Sequence, residues 1–162
     1  MEPVKALDPL TLSIIADRLD SFNIELGERI LRQSFSYNAG HLRDLGAVLL
    51  DKKERMISIG TFMPAHTAGA DIGLKAILDR IGRENILPED FIIGNDPFIV
   101  RLGHVPDWSF VRPIFYRGEL VFYQFFKSHQ YDAGGAFYES YRHVSECHTL
   151  PEQHRIEDKE ER

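Results

Sequence analysis

The chain has one cysteine, Cys147, so no disulfide can form within its 162 residues; that fits a reducing cytoplasm better than an oxidising compartment. No family-type cysteine signature surrounds the thiol, which reads as inert. No stretch approaches the roughly 18 uninterrupted apolar residues that would span a bilayer. The opening MEPVKALDPL lacks the basic patch, apolar run and small-residue cleavage site of a secretion signal. There is no block of Lys and Arg: 19 basic residues against 25 acidic ones leave a net charge of −6. That argues against nucleic acid as a partner, because phosphate binding needs clustered cations. Internal repeats and low-complexity tracts are also missing.

What remains, 43% apolar and 27% charged residues, is the composition of one ordinary globular domain. Asp8 as N-cap and Pro9 at the first helical position predict a long helix over about 10 to 34. Leu12, Ile15, Leu19, Phe22, Leu26 and Ile30 recur at helical spacing and predict its buried stripe. Ala47 to Leu50 and Met56 to Ile59 read as a hairpin around a charged DKKER turn. TFMPAHTAG reads as a loop. A second helix is predicted over about Ala70 to Gly82, with Ile72, Ala76, Ile77 and Ile81 facing inward and Gly82 as its stop. Phe91 to Gly94 reads as a short buried strand, followed by an NDPF turn. The expected class is α+β, with helices and hairpins packed on a mixed or antiparallel sheet over residues 1–135. Residues 136–162 read as a divergent, charged, poorly ordered tail.

The most informative stretch is HVPDWSFVRPIFYRGELVFYQFFKSHQYDAGG, residues 104–135. Trp108 to Tyr116 and Glu119 to Lys127 are rich in aromatic and β-branched residues, and Arg117-Gly118 between them predicts a tight hairpin turn. With Tyr116 opposite Glu119, Asp107 falls opposite Ser128 and His104 opposite Tyr131. The open end of the hairpin therefore gathers His104, Asp107 and His129. In that strict register Asp107 and His129 point to opposite faces. A one-residue bulge, for which Pro113 is a natural place, would align them; so would a position past the end of regular pairing. Two imidazoles and a carboxylate leave coordination positions open, as a catalytic metal site requires. Such nitrogen and oxygen ligands suit Mn²⁺, Fe²⁺ or Zn²⁺. Read as hairpin-end polar residues, the same three would only hydrogen-bond loop backbone.

Four stretches, DPLTLSIIADRL, HLRDLGAVLLDKKERMISIGTFMPAHTAG, EDFIIGNDPF and GHVPDWSFVRPIFYRGELVFYQFFKSHQYDAGG, resemble the hydantoinase B/oxoprolinase family in sequence and order. Within it, HVPDW and FFKSHQYDAGG look most like the acetone carboxylase α subunits. The resemblance implies a manganese site at His104, Asp107 and His129. It also implies a subunit that works with an ATP-using partner of the hydantoinase A or acetone carboxylase β type, and with a small third subunit. The implied reaction is ATP-dependent carboxylation of a small ketone by bicarbonate, with the enolate held at the metal. The alternative within the family is opening of a cyclic amide, as by N-methylhydantoinase or 5-oxoprolinase subunits. Family members are several times longer, so the match covers only their N-terminal part, and the ending ECHTLPEQHRIEDKEER departs from the family pattern. That departure supports a third reading: a truncated, inactive remnant that only binds partner subunits.

Other polar residues divide between function and structure. His66 fits either a substrate pocket or a loop hydrogen bond. Asp96 fits either a pocket or the capping of a turn. Asp132 fits either an outer contact to the metal ligands or an Asx-turn, next to the flexible Gly134-Gly135 pair. Arg43-Asp44 reads as an ion pair. Phe122, Tyr123, Phe125 and Phe126 read as core or subunit contact. His41, His143, His148 and His154 read as surface.

Overall fold

A computed structural model describes residues 7–100, apart from the Ile99 side chain, together with residues 103–131 and the backbone of 154–156. Asp8 accepts hydrogen bonds from the Thr11 amide at 3.0 Å and the Thr11 hydroxyl at 2.6 Å, fixing the start of helix α1 (Pro9–Gln33). The remaining elements are α2 (Tyr37–Gly40), β1 (Leu45–Asp51), β2 (Met56–Ile59), α3 (Pro64–Thr67), α4 (Ala70–Ile81), a 3-10 turn (Arg83–Asn85), β3 (Phe91–Gly94), α5 (Pro97–Val100), β4 (Asp107–Tyr116), β5 (Glu119–His129) and β6 (His154–Ile156). The six strands form one sheet in the order β2-β1-β5-β4-β3-β6, antiparallel at every pairing. The α+β expectation holds, and of the two sheet types foreseen the antiparallel one is found.

Strand β1 is inserted between β2 and β5, so both its edges are paired, and helices cover its two faces. Val48 and Leu50 join Tyr123, Phe125, Val111 and Ile92 beneath α4, which contributes Ala70, Leu74, Ile77 and Leu78. Leu45, Ala47 and Phe126 face the other way, against Leu31 and Ile30 of α1 and the Phe62 ring. Gly27 permits that contact: a Cβ there would lie 2.2 Å from Phe62. The aromatic run of β5 is thus core on both faces.

Several expectations are corrected. The apolar stripe of α1 is not its buried face: Leu12, Ile15 and Phe22 are exposed, while Asn23, Gly27 and Leu31 are buried. The polar Asn23 holds that face down. Its amide donates to Ala47 O at 3.1 Å and its oxygen accepts from Gln124 Nε2 at 3.1 Å. Phe22, Leu26 and Ile30 instead line an open cleft with Phe91, Phe110, Ile114 and Phe126. In α4, Ile77 is buried as expected but Ile72 is exposed, and Leu74 and Leu78 take the inward places. The TFMPAHTAG loop contains the one-turn helix α3, and Asp96 caps the short helix α5 by accepting from the Phe98 amide at 2.8 Å. The tail beyond 135 lies outside the described residues, except that 154–156 pair with β3.

Candidate metal centre

The hairpin turn pairs Tyr116 with Glu119 and Phe115 with Leu120, as the strict register requires. The next pair is Ile114 with Phe122, so Val121 is an extra residue on β5, and from there to the open end every partner is displaced by one. Asp107 therefore stands opposite His129, not Ser128. The bulge expected near Pro113 exists, on the facing strand. Pro113 itself sits beyond Ser109–Val111, the part of β4 that β3 pairs with, so its missing N–H leaves no gap in that ladder.

The H-x-x-D spacing is a hydrogen-bonded turn. The Asp107 amide donates to His104 O at 2.8 Å, and Asp107 Oδ2 accepts from the His104 amide at 3.3 Å. This brings His104 Nε2 to 3.4 Å from Asp107 Oδ1. The His104 and His129 rings are 4.9 Å apart at their centres. One donor atom from each of His104, Asp107 and His129 lies within 4.8 Å of the others. Donors that share one ion with ligand bonds near 2 Å lie at most about 4 Å apart, so a small rotation of the half-exposed His104 closes the set.

Two features fit this set to a divalent cation. Asp107 Oδ1 is buried and accepts no hydrogen bond among the described residues, an unmet demand that an ion would satisfy. Asn38 holds Nδ1 of His129 at 2.7 Å. The atom facing Nδ1 is the amide nitrogen; with the Asn38 amide turned over, its oxygen accepts Nδ1–H and the lone pair sits on Nε2, the tautomer a metal ligand needs. Burial alone would push the Asp107 carboxyl up, yet the His104 side chain, Lys127 and His66 outweigh it and hold it at about 2, so it is an anion.

Of the two roles open to His66, the structure places it beside the donor set, and it brings in Asp44 as a neighbour. His66 is buried on α3, with Nε2 2.6 Å from Asp44 Oδ1 and 3.9 Å from Asp107 Oδ1. Its desolvation lowers its pKa, against the pull of Asp107 and, more weakly, Asp44, with Lys127 adding to the lowering. Gly46 makes room for α3, since a Cβ there would lie 2.7 Å from the His66 Cβ. The expected Arg43–Asp44 pair does not form: Arg43 pairs with Glu28, and Asp44 is turned to His66. Asp44 could have been found from the sequence, as a lone acid at the mouth of an apolar strand. Its carbonyl accepts the His129 amide at 3.1 Å. Asp96 serves α5 and is not among the three donors, and Asp132 lies outside the described residues. No helix among the described residues is long and apolar enough to cross a membrane.

The sequence profile of the hydantoinase B/oxoprolinase family matches residues 8–149, and the chain belongs to that family. Among its relatives, the caprolactamase subunit beta of Pseudomonas jessenii is 31% identical over 134 residues, 82% of this chain and 22% of that one. The crystal structure of the ATP-dependent caprolactamase from the same organism superposes with a TM-score of 0.82 at 26% identity, covering 96% of this chain and 27% of that one. An acetone carboxylase in its nucleotide-free form superposes with a TM-score of 0.71 at 20% identity, over 80% of this chain and 17% of that one; at that identity the likeness is one of fold. The chain thus spans between 17% and 27% of the length of these three.

Proposed function

We propose that this chain is the metal-holding part of an ATP-dependent subunit whose substrate is a small cyclic amide, with His104, Asp107 and His129 as the ligands. The convergence of those three donors within 4.8 Å carries the reading. The preference for a cyclic amide comes from the caprolactamase relatives at 31% and 26% identity. A divalent cation bound there supplies Lewis acidity to a carbonyl oxygen. The chain's own residues do the rest: neutral imidazoles give lone pairs, Asp107 gives the anionic charge, and the covered sheet face keeps water away from it. Manganese, iron and zinc all suit such ligands. ATP would be consumed by a partner subunit. Carboxylation of a small ketone is the second reading, supported by the HVPDW and FFKSHQYDAGG motifs.

Metal analysis of the purified chain after loading with Mn²⁺ or Zn²⁺ tests the site. One ion per chain, lost in His104→Ala and Asp107→Ala, is expected; absence of stoichiometric metal in the unsubstituted protein would overturn it. Pairing with an ATP-using partner then separates the substrates. Lactam-dependent ATP hydrolysis supports the first reading, and hydrolysis that needs ketone and bicarbonate replaces it with the second.

A further inference from the structure

Lys127 is 1% exposed, a lysine sealed inside the protein. It precedes His129 by two residues on β5, so its side chain emerges on the same face. Its strand neighbours are Ser109 on β4 and Gly46 on β1. A lysine is almost never fully buried unless its charge is answered, and here Asp107 answers it, with Nζ 3.2 Å from Oδ2. The His104 amide takes the same oxygen at 3.3 Å. Gly103, with φ +71°, closes a third side: a Cβ there would lie 1.9 Å from Oδ2 and 2.5 Å from Nζ. Oδ2 is thus boxed in, while Oδ1 accepts no hydrogen bond among the described residues and has the His104 and His66 imidazole nitrogens at 3.4 Å and 3.9 Å.

We propose that Lys127 is a positioning residue: its ammonium captures Asp107 Oδ2, so that the carboxylate can offer a cation only Oδ1. This rests on the metal reading above. A carboxylate free to turn can clasp an ion with both oxygens, which would use up a coordination position that a substrate oxygen could take. Lys127 prevents that rotation at a cost, because its own positive charge repels the ion. It therefore weakens cation binding while fixing its geometry, the opposite of what a ligand-supporting acceptor does.

The test compares the full chain with Lys127→Met, which keeps the stem and removes the charge and the donors. The first readout is the infrared difference between Mn²⁺-loaded and chelator-treated protein, with aspartate carboxyls labelled by carbon-13. A wide separation of the two carboxylate stretches reports one-oxygen binding, and a narrow one reports two-oxygen binding. The wide pattern is expected for the unsubstituted protein and the narrow one for Lys127→Met, with apparent Mn²⁺ affinity rising on the order of tenfold or more as the repulsion is lost. If the variant unfolds in chelator, it is kept loaded throughout and the zero-field splitting of its Mn²⁺ resonance is read instead; a changed splitting is expected. Unchanged spectra and affinity in Lys127→Met, or a narrow separation already in the unsubstituted protein, would overturn the lysine's role and leave the metal site standing. No Mn²⁺ binding by the unsubstituted protein would overturn both.

Discussion

The side chains of Asn38 and His129, far apart in sequence, meet at 2.7 Å, amide against ring nitrogen Nδ1. Asn38 lies on the short helix α2, which Ser36 caps and which otherwise leads nowhere but into β1. Its placement gives α2 a purpose: to fix the imidazole that closes the metal set.

Loss of that contact is expected to weaken cation binding without unfolding the chain. Partners that orient a ligand imidazole are typically worth about 10–100-fold in metal affinity. Asn38→Ala, assayed by competition with a chelator, should fall in that range. An affinity equal to that of the unsubstituted protein would remove Asn38 from the site.

Two glycines separate backbone strain from steric blockage. Gly103 and Gly118 both have positive φ, +71° and +82°, but a Cβ at Gly118 meets nothing within 4 Å. Gly118→Ala should cost about 1–2 kcal/mol for the left-handed backbone alone and leave metal affinity unchanged. Gly103→Ala adds the collision with Asp107 and Lys127, so it should melt lower still and lose affinity. Equal melting temperatures for the two would contradict the close approach at Oδ2.

The buried amides under α1 should matter for stability only. Asn23→Ala leaves Gln124 Nε2 without one acceptor and Ala47 O without one donor, though Gln124 also donates to Val48 O at 3.2 Å. A loss of roughly 1–3 kcal/mol is expected in denaturant unfolding, with cation affinity intact in the folded fraction. A parallel fall in affinity would show that the two faces of the sheet are coupled.

Acid should reveal the Asp107 environment in chelator-treated protein. The folded carboxyl sits at about 2, well below its ordinary value of 3.8. A depressed folded value contributes stability that is complete above pH 4 or so and is lost as pH falls towards 2, worth roughly 2 kcal/mol. Asp107→Asn should lack that slope. Superimposable pH profiles for the two proteins would mean the carboxylate is not held as an anion.

What the sequence made legible was local. Asp8-Pro9 marks the start of α1, Gly82 closes α4, and Arg117-Gly118 sets a hairpin whose arithmetic already gathers His104, Asp107 and His129. The exposure of the α1 stripe was not legible, because helical spacing marks an apolar face without saying what covers it. Asn38 and Lys127 escaped for another reason, as did the partners of Asp44 and His66. They reach the site through the pairing of β1 with β5 and the seating of α3 on Gly46, long-range contacts with no local signature. Lys127 alone left a trace, since the period-two rule places it on the face of His129. The Arg43-Asp44 expectation failed because adjacent residues point apart, and each found a partner elsewhere.

The unmatched Val121 makes the hairpin unequal in its tolerance of length. Removing Val121 would restore a regular ladder and leave Asp107 and His129 face to face, because the bulge lies on the turn side of the site and the pairs from Ile114–Phe122 onward keep their partners. Beyond Phe126, which α1 clamps, there is no such slack. One residue fewer before His129 would carry its ring through the sheet to the α1 side and dismantle the donor set in a single step.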